Sequence, residues 1–158
     1  PLIPKETSRV MSLRDGKKKM SKSEDSDYSR INLKDDKDLI EQKIKKAKTD
    51  TAPIPSELNG LKNRHEAANL ISIYASLNNI SVDQVLKEFG GKNFSTFKSK
   101  LSESIIEKIC PIGQEIKKLL QDTNYLIKIL ENGSKRADLI AKNNLKEIYD
   151  IIGLSKFT

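Results

Sequence analysis

The chain has 158 residues, a length that suits one domain with a fragment of another, and its net charge of +7 favours an anionic partner. The charge excess is nearly all lysine, which makes it a weak indication of nucleic-acid binding. The single cysteine, Cys110, excludes an internal disulfide and favours a reducing, cytoplasmic location. We expect neither a membrane span nor a signal peptide.

Residues 1–30 show little hydrophobic periodicity. Residues 10–13 are predicted as a short strand, the Arg-Asp-Gly sequence at 14–16 as a turn, and the polar residues 23–29 as a mobile stretch.

From residue 32 the pattern becomes helical. Asp35 is predicted as the N-cap of a first helix, in which Ile40, Ile44 and Ala47 share one face. A second helix is predicted from about Arg64 to Leu77.

A third, short helix is predicted to start at a capping box of Ser81 and Gln84 and to stop at the Gly-Gly pair at 90–91. A longer helix begins near Phe94, and we expect Pro111 to kink or end it. Two further helical segments are predicted at residues 125–130 and 136–152, with Gly133 and Gly153 as their terminators. The fold class is therefore mainly α, a helical bundle behind an irregular basic loop.

That basic loop is residues 17–23, Lys-Lys-Lys-Met-Ser-Lys-Ser, preceded by Gly16 as a hinge. Ammonium groups, hydroxyls and backbone N–H groups in this density could close over a polyphosphate. A solvated basic loop or a nuclear-localisation run is the alternative. The exact string at 19–23 is expected by chance in roughly one such chain in two thousand.

Lys-Met-Ser-Lys-Ser at residues 19–23 is similar to the signature loop of class I aminoacyl-tRNA synthetases. The residues after it resemble the tryptophanyl-tRNA synthetase family, because 31–36 fit I-x-L-x-D-D and 40–50 fit I-x-x-K-I-x-x-A-x-T-D. Residues 8–13, 91–98 and 133–137 also resemble that family. The resemblance covers essentially the whole chain but only the family's C-terminal part.

The resemblance implies that residues 1–31 are the end of a Rossmann-like, nucleotide-binding catalytic domain, with the short strand left from it and a mobile signature loop. Residues 32–158 would be an α-helical, anticodon-binding-like domain. Since the sequence starts with Pro1, we expect it to be a piece of a larger protein. The complete enzyme would activate tryptophan with ATP to the adenylate and transfer it to tRNA(Trp). It would be a cytoplasmic homodimer through its missing domain, which would also hold the tryptophan pocket.

By resemblance, the loop binds ATP, with Mg²⁺ on the phosphates. Lys22 is the first candidate for stabilising the departing pyrophosphate and Lys19 the second. Ser21 and Ser23 would hydrogen-bond phosphate or fix the loop, and Val10 would contact adenine, unless it is simply a core residue. The implied ATP-binding residues are Val10, Lys19, Met20, Ser21, Lys22 and Ser23.

Other polar residues give weaker signals. His65, at the opening of a predicted helix, is expected to be solvated or capping, and Cys110 to lie in the core. No metal-ligand spacing is present. A tRNA-facing surface is predicted from distributed basic residues, although for each one a solvated helix face is the alternative. Its candidates are Lys43, Lys45, Lys46, Lys48, Lys98, Lys100, Lys135 and Arg136.

Three other interpretations stay open at this point. The chain could be a non-catalytic helical RNA-binding module, because the nucleotide fold would lie upstream of it. It could belong to a tyrosyl-type synthetase, the close relative, whose loop usually departs from Lys-Met-Ser-Lys-Ser. A purely structural helical protein is the third.

Overall fold

The computed structural model describes residues 9–154, and within them the fold is mainly α, as predicted. The helices are α1 (Lys37–Lys46), α2 (His65–Leu77), α3 (Val82–Phe89), α4 (Phe94–Gln121) and α5 (Thr123–Ile152). The chain divides after Gln114 into two compact units. The first contains α1 to α3 and most of α4, and the second contains the end of α4 and α5.

The predicted strand at residues 10–13 is an extended segment with one isolated antiparallel bridge, between Met11 and Lys19. On its other edge a side chain takes the place of a strand: Asn69 of α2 accepts from Met11 N (3.0 Å) and donates to Met11 O (2.9 Å). Because these backbone groups are already bonded, the pairing does not widen into a sheet within residues 9–154.

The N-cap of α1 is Asp36 rather than the predicted Asp35, since the Asp36 carboxylate accepts from Leu39 N (2.9 Å). Asp35 is buried and bonds Lys43 instead. The predicted inner face is confirmed, because Ile40, Ile44 and Ala47 are all buried.

The core of the first unit is aliphatic around a small aromatic group. Tyr74, Phe89 and Phe97 lie with ring centroids 5.1–5.5 Å apart, in tilted or edge-to-face arrangements worth about 0.5–1.5 kcal/mol per pair. The predicted capping box of Ser81 and Gln84 starts α3, and its backbone and side-chain bonds are both present. These contacts hold α2, α3 and α4 together as the support for the N-terminal segment.

Pro111 does not end α4, which continues to Gln121. A proline removes one helix hydrogen bond, and the packing on either side of it offsets that loss. Ile105 is buried in the core, and Gly113 lies so close to the chain before α1 that a Cβ would come within 2.6 Å of the Leu33 carbonyl oxygen.

In the second unit α5 is one continuous helix, so the predicted terminator at Gly133 is wrong. A glycine inside a helix costs only about 1 kcal/mol relative to alanine, which the neighbouring helix-forming residues outweigh. The helix ends where predicted, at Gly153, which adopts a left-handed conformation with φ 68°. No side chain of α5 is buried.

The predicted functional boundary between residues 31 and 32 differs from this division of the chain. Leu13, in the first part, is buried in the same core as Ile40 and Leu70. The assignment of residues 1–31 to a catalytic domain therefore stays a prediction. Within residues 9–154, no helix has the length and apolar character needed to cross a membrane.

Candidate functional site: the signature loop and its supports

The signature loop, residues 19–23, lies on the surface of the first unit. Its N-terminal end is fixed by backbone pairing, since Ser12 N donates to Lys18 O (2.8 Å) and Met20 N donates to Val10 O (3.1 Å). Val10 and Met20, two of the residues expected to bind ATP, are therefore bonded to each other directly.

Gly16 allows the turn before the loop to pack closely against α2. It is buried against the first turn of α2, where a Cβ would come within 2.5 Å of backbone atoms of His65 and Glu66. Only glycine fits there without moving backbone. The residue predicted as a hinge is thus a close-packing point between the turn before the loop and α2.

The C-terminal end of the loop is held by Arg30. Its guanidinium donates to Glu24 O (2.8 Å) and Ser21 O (3.4 Å), and it pairs with Asp27 at 2.9 Å. The segment at 27–29, within the predicted mobile stretch, forms a 3-10 turn whose last residue, Ser29, is buried. The loop is therefore anchored at both ends.

Between these anchors the lysines project outward. Lys19 and Lys22 are exposed, and neither forms an ion pair with any residue between 9 and 154. The hydroxyls of Ser21 and Ser23 lie 2.9 Å apart, and Ser21 Oγ also accepts from Ser23 N (3.3 Å). This turn presents two ammonium groups with no internal carboxylate to neutralise them, which suits a phosphate ligand.

An apolar cavity of about 210 Å³ lies beside the loop. Val10 and Met20 contribute to its wall, together with side chains from α1, α2 and α4. Val10 is 37% exposed, so the alternative that it is a core residue does not describe it. The lining residues are Val10, Leu13, Met20, Ile31, Ile44, Ile73, Ser76, Leu77, Ile105 and Ile109.

The predicted tRNA-facing lysines are only partly at the surface. Lys43 is fully buried, which corrects its placement on that face. Lys45 is exposed, Lys46 lies 4.4 Å from the ring centroid of Tyr28, and Lys48 pairs with Glu66 at 3.0 Å.

Lys98 and Lys100 are also engaged locally. Lys98 Nζ donates to Ala47 O (2.6 Å) at the end of α1, and burial lowers the pKa of its ammonium group. Lys100 bonds Glu103 at 2.7 Å. Lys135 and Arg136 lie exposed on α5, in the other unit. Lys45, Lys46 and Lys48 are exposed at and just after the end of α1, and we call residues 45–48 the basic cluster. Lys98 Nζ lies against the backbone of this segment.

The remaining expectations concern isolated groups. His65 is exposed as the first residue of α2, in agreement with a solvated role. Cys110 is partly buried and packs against the core. Among the described residues, no group of three or more His, Cys, Asp or Glu side chains is placed to hold a metal ion.

Three supporting residues were not identified from the sequence: Asn69, Arg30 and Asp27. Asn69 is a polar residue on the apolar face of α2, between Ala67 and Leu70, which is a readable signal for a buried structural bond. Asp27 and Arg30 lie in a stretch rich in charged residues, and nothing in its composition sets them apart.

Comparison with known proteins gives a consistent result. The profile of class I tRNA synthetases (W and Y) matches residues 2–109. A tryptophan–tRNA ligase of Mesorhizobium japonicum is 51% identical over 98% of this chain, and one of Agrobacterium fabrum is 52% identical over 97%. The chain spans 43% of the length of each of these relatives.

The structure of tryptophanyl-tRNA synthetase from Mycoplasma pneumoniae superposes with a TM-score of 0.70 at 27% identity. That match covers 97% of this chain and 47% of the Mycoplasma chain. The fold, the signature loop and the sequence profile agree, and the chain belongs to the family of class I tRNA synthetases (W and Y).

Proposed function

We propose that this chain supplies the ATP-binding loop and the helical C-terminal part of a tryptophan–tRNA ligase. The observation that carries the proposal is the exposed pair Lys19 and Lys22 on a loop anchored at both ends. The choice of tryptophan over tyrosine is supported by relatives named tryptophan–tRNA ligase at 51–52% identity. The nucleotide fold and amino-acid pocket are assigned to a part of the complete enzyme outside these residues.

In the proposed reaction the carboxylate of tryptophan attacks the α-phosphorus of ATP. A bond forms between carboxylate oxygen and phosphorus, and the bond between that phosphorus and the bridging oxygen to the β-phosphate breaks. Negative charge then grows on the departing pyrophosphate. Lys22, with Lys19, stabilises this charge, and only the part of the interaction that strengthens in the transition state accelerates the step.

The other loop residues have supporting roles in this proposal. Ser21 and Ser23 hydrogen-bond phosphate oxygens or each other, and Met20 and Val10 offer apolar surface to the adenine. Mg²⁺ is carried by the ATP phosphates. That assignment is compatible with the described residues, among which no cluster of metal-ligating side chains lies near the loop.

In the second half-reaction a terminal ribose hydroxyl of tRNA(Trp) attacks the carbonyl carbon of the adenylate, an ester bond forms, and AMP leaves as the bond from that carbon to the phosphate oxygen breaks. The basic cluster at residues 45–48 is proposed to contact the tRNA backbone, where lysine side chains position the nucleic acid without reading its sequence. The complete enzyme is proposed to act in the cytoplasm as a homodimer, through surfaces outside this chain.

Tryptophan-dependent exchange of labelled pyrophosphate into ATP tests the proposal. The complete enzyme should exchange with tryptophan and not with tyrosine, and residues 1–158 alone should not exchange with either. Preference for tyrosine would assign the chain to a tyrosyl-type enzyme. Binding of tRNA without any exchange by the complete protein would favour the non-catalytic RNA-binding module.

A further inference from the structure

A chain of charged contacts connects the signature loop to the buried side of α1. We propose that Arg30, held in place by Asp27 and Lys43, is a positioning residue that fixes the C-terminal end of the loop so that Lys22 meets ATP in one geometry. This inference rests on the proposed function of the loop in ATP binding.

The buried end of the chain of contacts is Lys43. Its side chain is 0% exposed, and Nζ lies 2.6 Å from a carboxylate oxygen of Asp27 and 2.6 Å from one of Asp35. A buried ammonium group needs such partners, because an unpaired charge in the interior is strongly unfavourable. Lys43 therefore holds Asp27 against the body of the first unit.

Asp27 is fully engaged by these contacts. Its Oδ2 faces Lys43, while its Oδ1 accepts from Asn32 Nδ2 (3.0 Å) and pairs with Arg30 at 2.9 Å. Both carboxylate oxygens thus have fixed partners on two sides. The orientation of the Arg30 guanidinium follows from that of Asp27.

Arg30 faces the loop with its remaining donors. One terminal nitrogen, Nη2, binds Asp27, and the other, Nη1, donates to Glu24 O and Ser21 O. These two carbonyls lie on either side of Lys22 and Ser23 in the sequence. Since the side chain is only 17% exposed, it holds this geometry with little competition from water.

The chemistry of this arrangement requires arginine. A planar guanidinium presents five N–H donors in a fixed fork, so it can bind a carboxylate and two carbonyls at once. A lysine has one nitrogen and reaches fewer of these acceptors from the same place. Arg14, by contrast, donates to Lys46 O (3.0 Å) and has no hydrogen bond or ion pair with the loop among the described residues.

Loss of Arg30 should release the carbonyl groups of Ser21 and Glu24, so that the Lys22 side chain adopts several positions instead of one. A small displacement of a catalytic group reduces rate strongly, up to about 10²-fold for a shift of about 1 Å. We expect Arg30→Ala in the complete enzyme to lower kcat of pyrophosphate exchange about tenfold or more and to raise KM for ATP. The KM for tryptophan should stay unchanged, because the loop serves the phosphates.

The experiment compares Arg30→Ala with Arg14→Ala as the matched control. It also includes the variant Arg30→Lys and the double variant that carries both Asp27→Asn and Arg30→Ala. Arg14→Ala should exchange like the wild type, and Arg30→Lys should recover part of the lost rate. If Asp27 acts through Arg30, the double variant should lose little more rate than Arg30→Ala alone.

Limited trypsin digestion gives a second readout that needs no activity. Arg30→Ala should be cut after Lys22 several-fold faster than the wild type, whereas Arg14→Ala should not. Equal cutting rates, or normal kcat and KM for ATP in an active enzyme, would overturn the positioning role. Absence of tryptophan-dependent exchange in the wild type would instead contradict the proposed function, while faster cutting of Arg30→Ala would still support the anchor.

Discussion

Lys43 Nζ lies 2.6 Å from a carboxylate oxygen of Asp35, and both side chains are buried. The two residues lie eight positions apart, one before α1 and one inside it, so their bond ties the entry of the helix to its second turn. A buried pair of this kind is costly to break, because removal of one partner leaves the other charge unpaired.

Replacement of Lys43 by methionine should therefore destabilise the first unit by about 3–5 kcal/mol, the usual cost of breaking a buried ion pair. Urea unfolding followed by circular dichroism measures this loss. Lys45→Met is the matched control on the same helix, since Lys45 is exposed, and it should change stability by no more than about 0.5 kcal/mol. Similar losses of stability in both variants would show that the effect of Lys43→Met does not come from its buried ion pair.

Gly16→Ala should also destabilise the first unit, by about 1–3 kcal/mol, because its Cβ would meet backbone of α2 at 2.5 Å. Gly133→Ala is the contrasting substitution, since nothing lies within 4 Å of a Cβ there and the glycine is inside a helix. It should stabilise α5 by up to about 1 kcal/mol. Thermal melts of both variants should move in opposite directions, and a neutral Gly16→Ala would argue against the close packing.

The free energy of unfolding of the first unit should fall as the pH drops through the range in which its carboxyl groups titrate. The hydrogen bond from Arg64 holds the pKa of Asp50 below its usual value, and the bond from Lys48 does the same for Glu66. A carboxyl with a lowered pKa in the folded state binds protons more readily when unfolded. Its contribution is therefore present above the unfolded pKa, near 3.8 or 4.5, and is lost as pH falls through the folded one.

Melting temperatures measured between about pH 6 and about pH 2.5, the range over which carboxylates titrate, test this direction of change. Asp50→Asn should melt lower than the wild type near pH 6 and lose less on acidification. Asp25→Asn, at an exposed position, should keep the wild-type profile. If Asp50→Asn had the wild-type dependence of melting temperature on pH, the ion pair of Asp50 with Arg64 would not be a cause of the acid sensitivity.

The periodicity of α1 predicted its buried face but not the identity of everything on that face. Ile40, Ile44 and Ala47 were placed correctly, and Lys43 lies between them at the i+3 position of the same stripe. A lysine at that position is ordinarily assigned to solvent, and only its tertiary partners, Asp27 and Asp35, make its burial possible. Those partners come from a loop, where local sequence carries no signal of the pairing.

The signature loop was found from its residue string, whereas its anchors were not. Gly16 could be read only as a turn or hinge residue, because the backbone of α2 that it touches lies about 50 positions away in the sequence. Pro111 and Gly133 were overestimated as helix breakers, since local propensity is weaker than packing and the pull of flanking helix formers. Long-range contacts decided the roles of Gly16 and Pro111, whereas flanking helix formers decided Gly133.

In the complete enzyme, Lys22→Ala should lower the rate of tryptophan activation by about 10²-fold or more, the effect of losing one preorganised charge at the leaving group. The KM for tryptophan should move little. Lys17→Ala is the matched control, because Lys17 is exposed in the same basic run and lies outside the signature loop. Pyrophosphate exchange measures both variants. Near-normal turnover with a large loss of tryptophan affinity would contradict the proposed role of Lys22 toward the ATP phosphates.

The last prediction concerns the basic cluster at residues 45–48 and tRNA. Each phosphate neutralised by a lysine releases counterions, so the affinity falls with salt with a log–log slope of about 0.9 per contact on duplex regions. We expect a slope equivalent to about two to four contacts for this chain, because acidic residues such as Glu66 are interspersed with the lysines. Lys43 is excluded from the variant, since its removal would unfold the face rather than discharge it.

The triple change of Lys45, Lys46 and Lys48 to glutamine should lower that slope by about two, and circular dichroism should be unchanged because glutamine is nearly as good a helix former as lysine. The matched control changes Lys62, Lys87 and Lys92, which are exposed on the same unit, to glutamine. Both variants lose three positive charges, so a difference in slope reports contact rather than net charge. Equal slopes in the two variants would show that this cluster is not part of the tRNA surface.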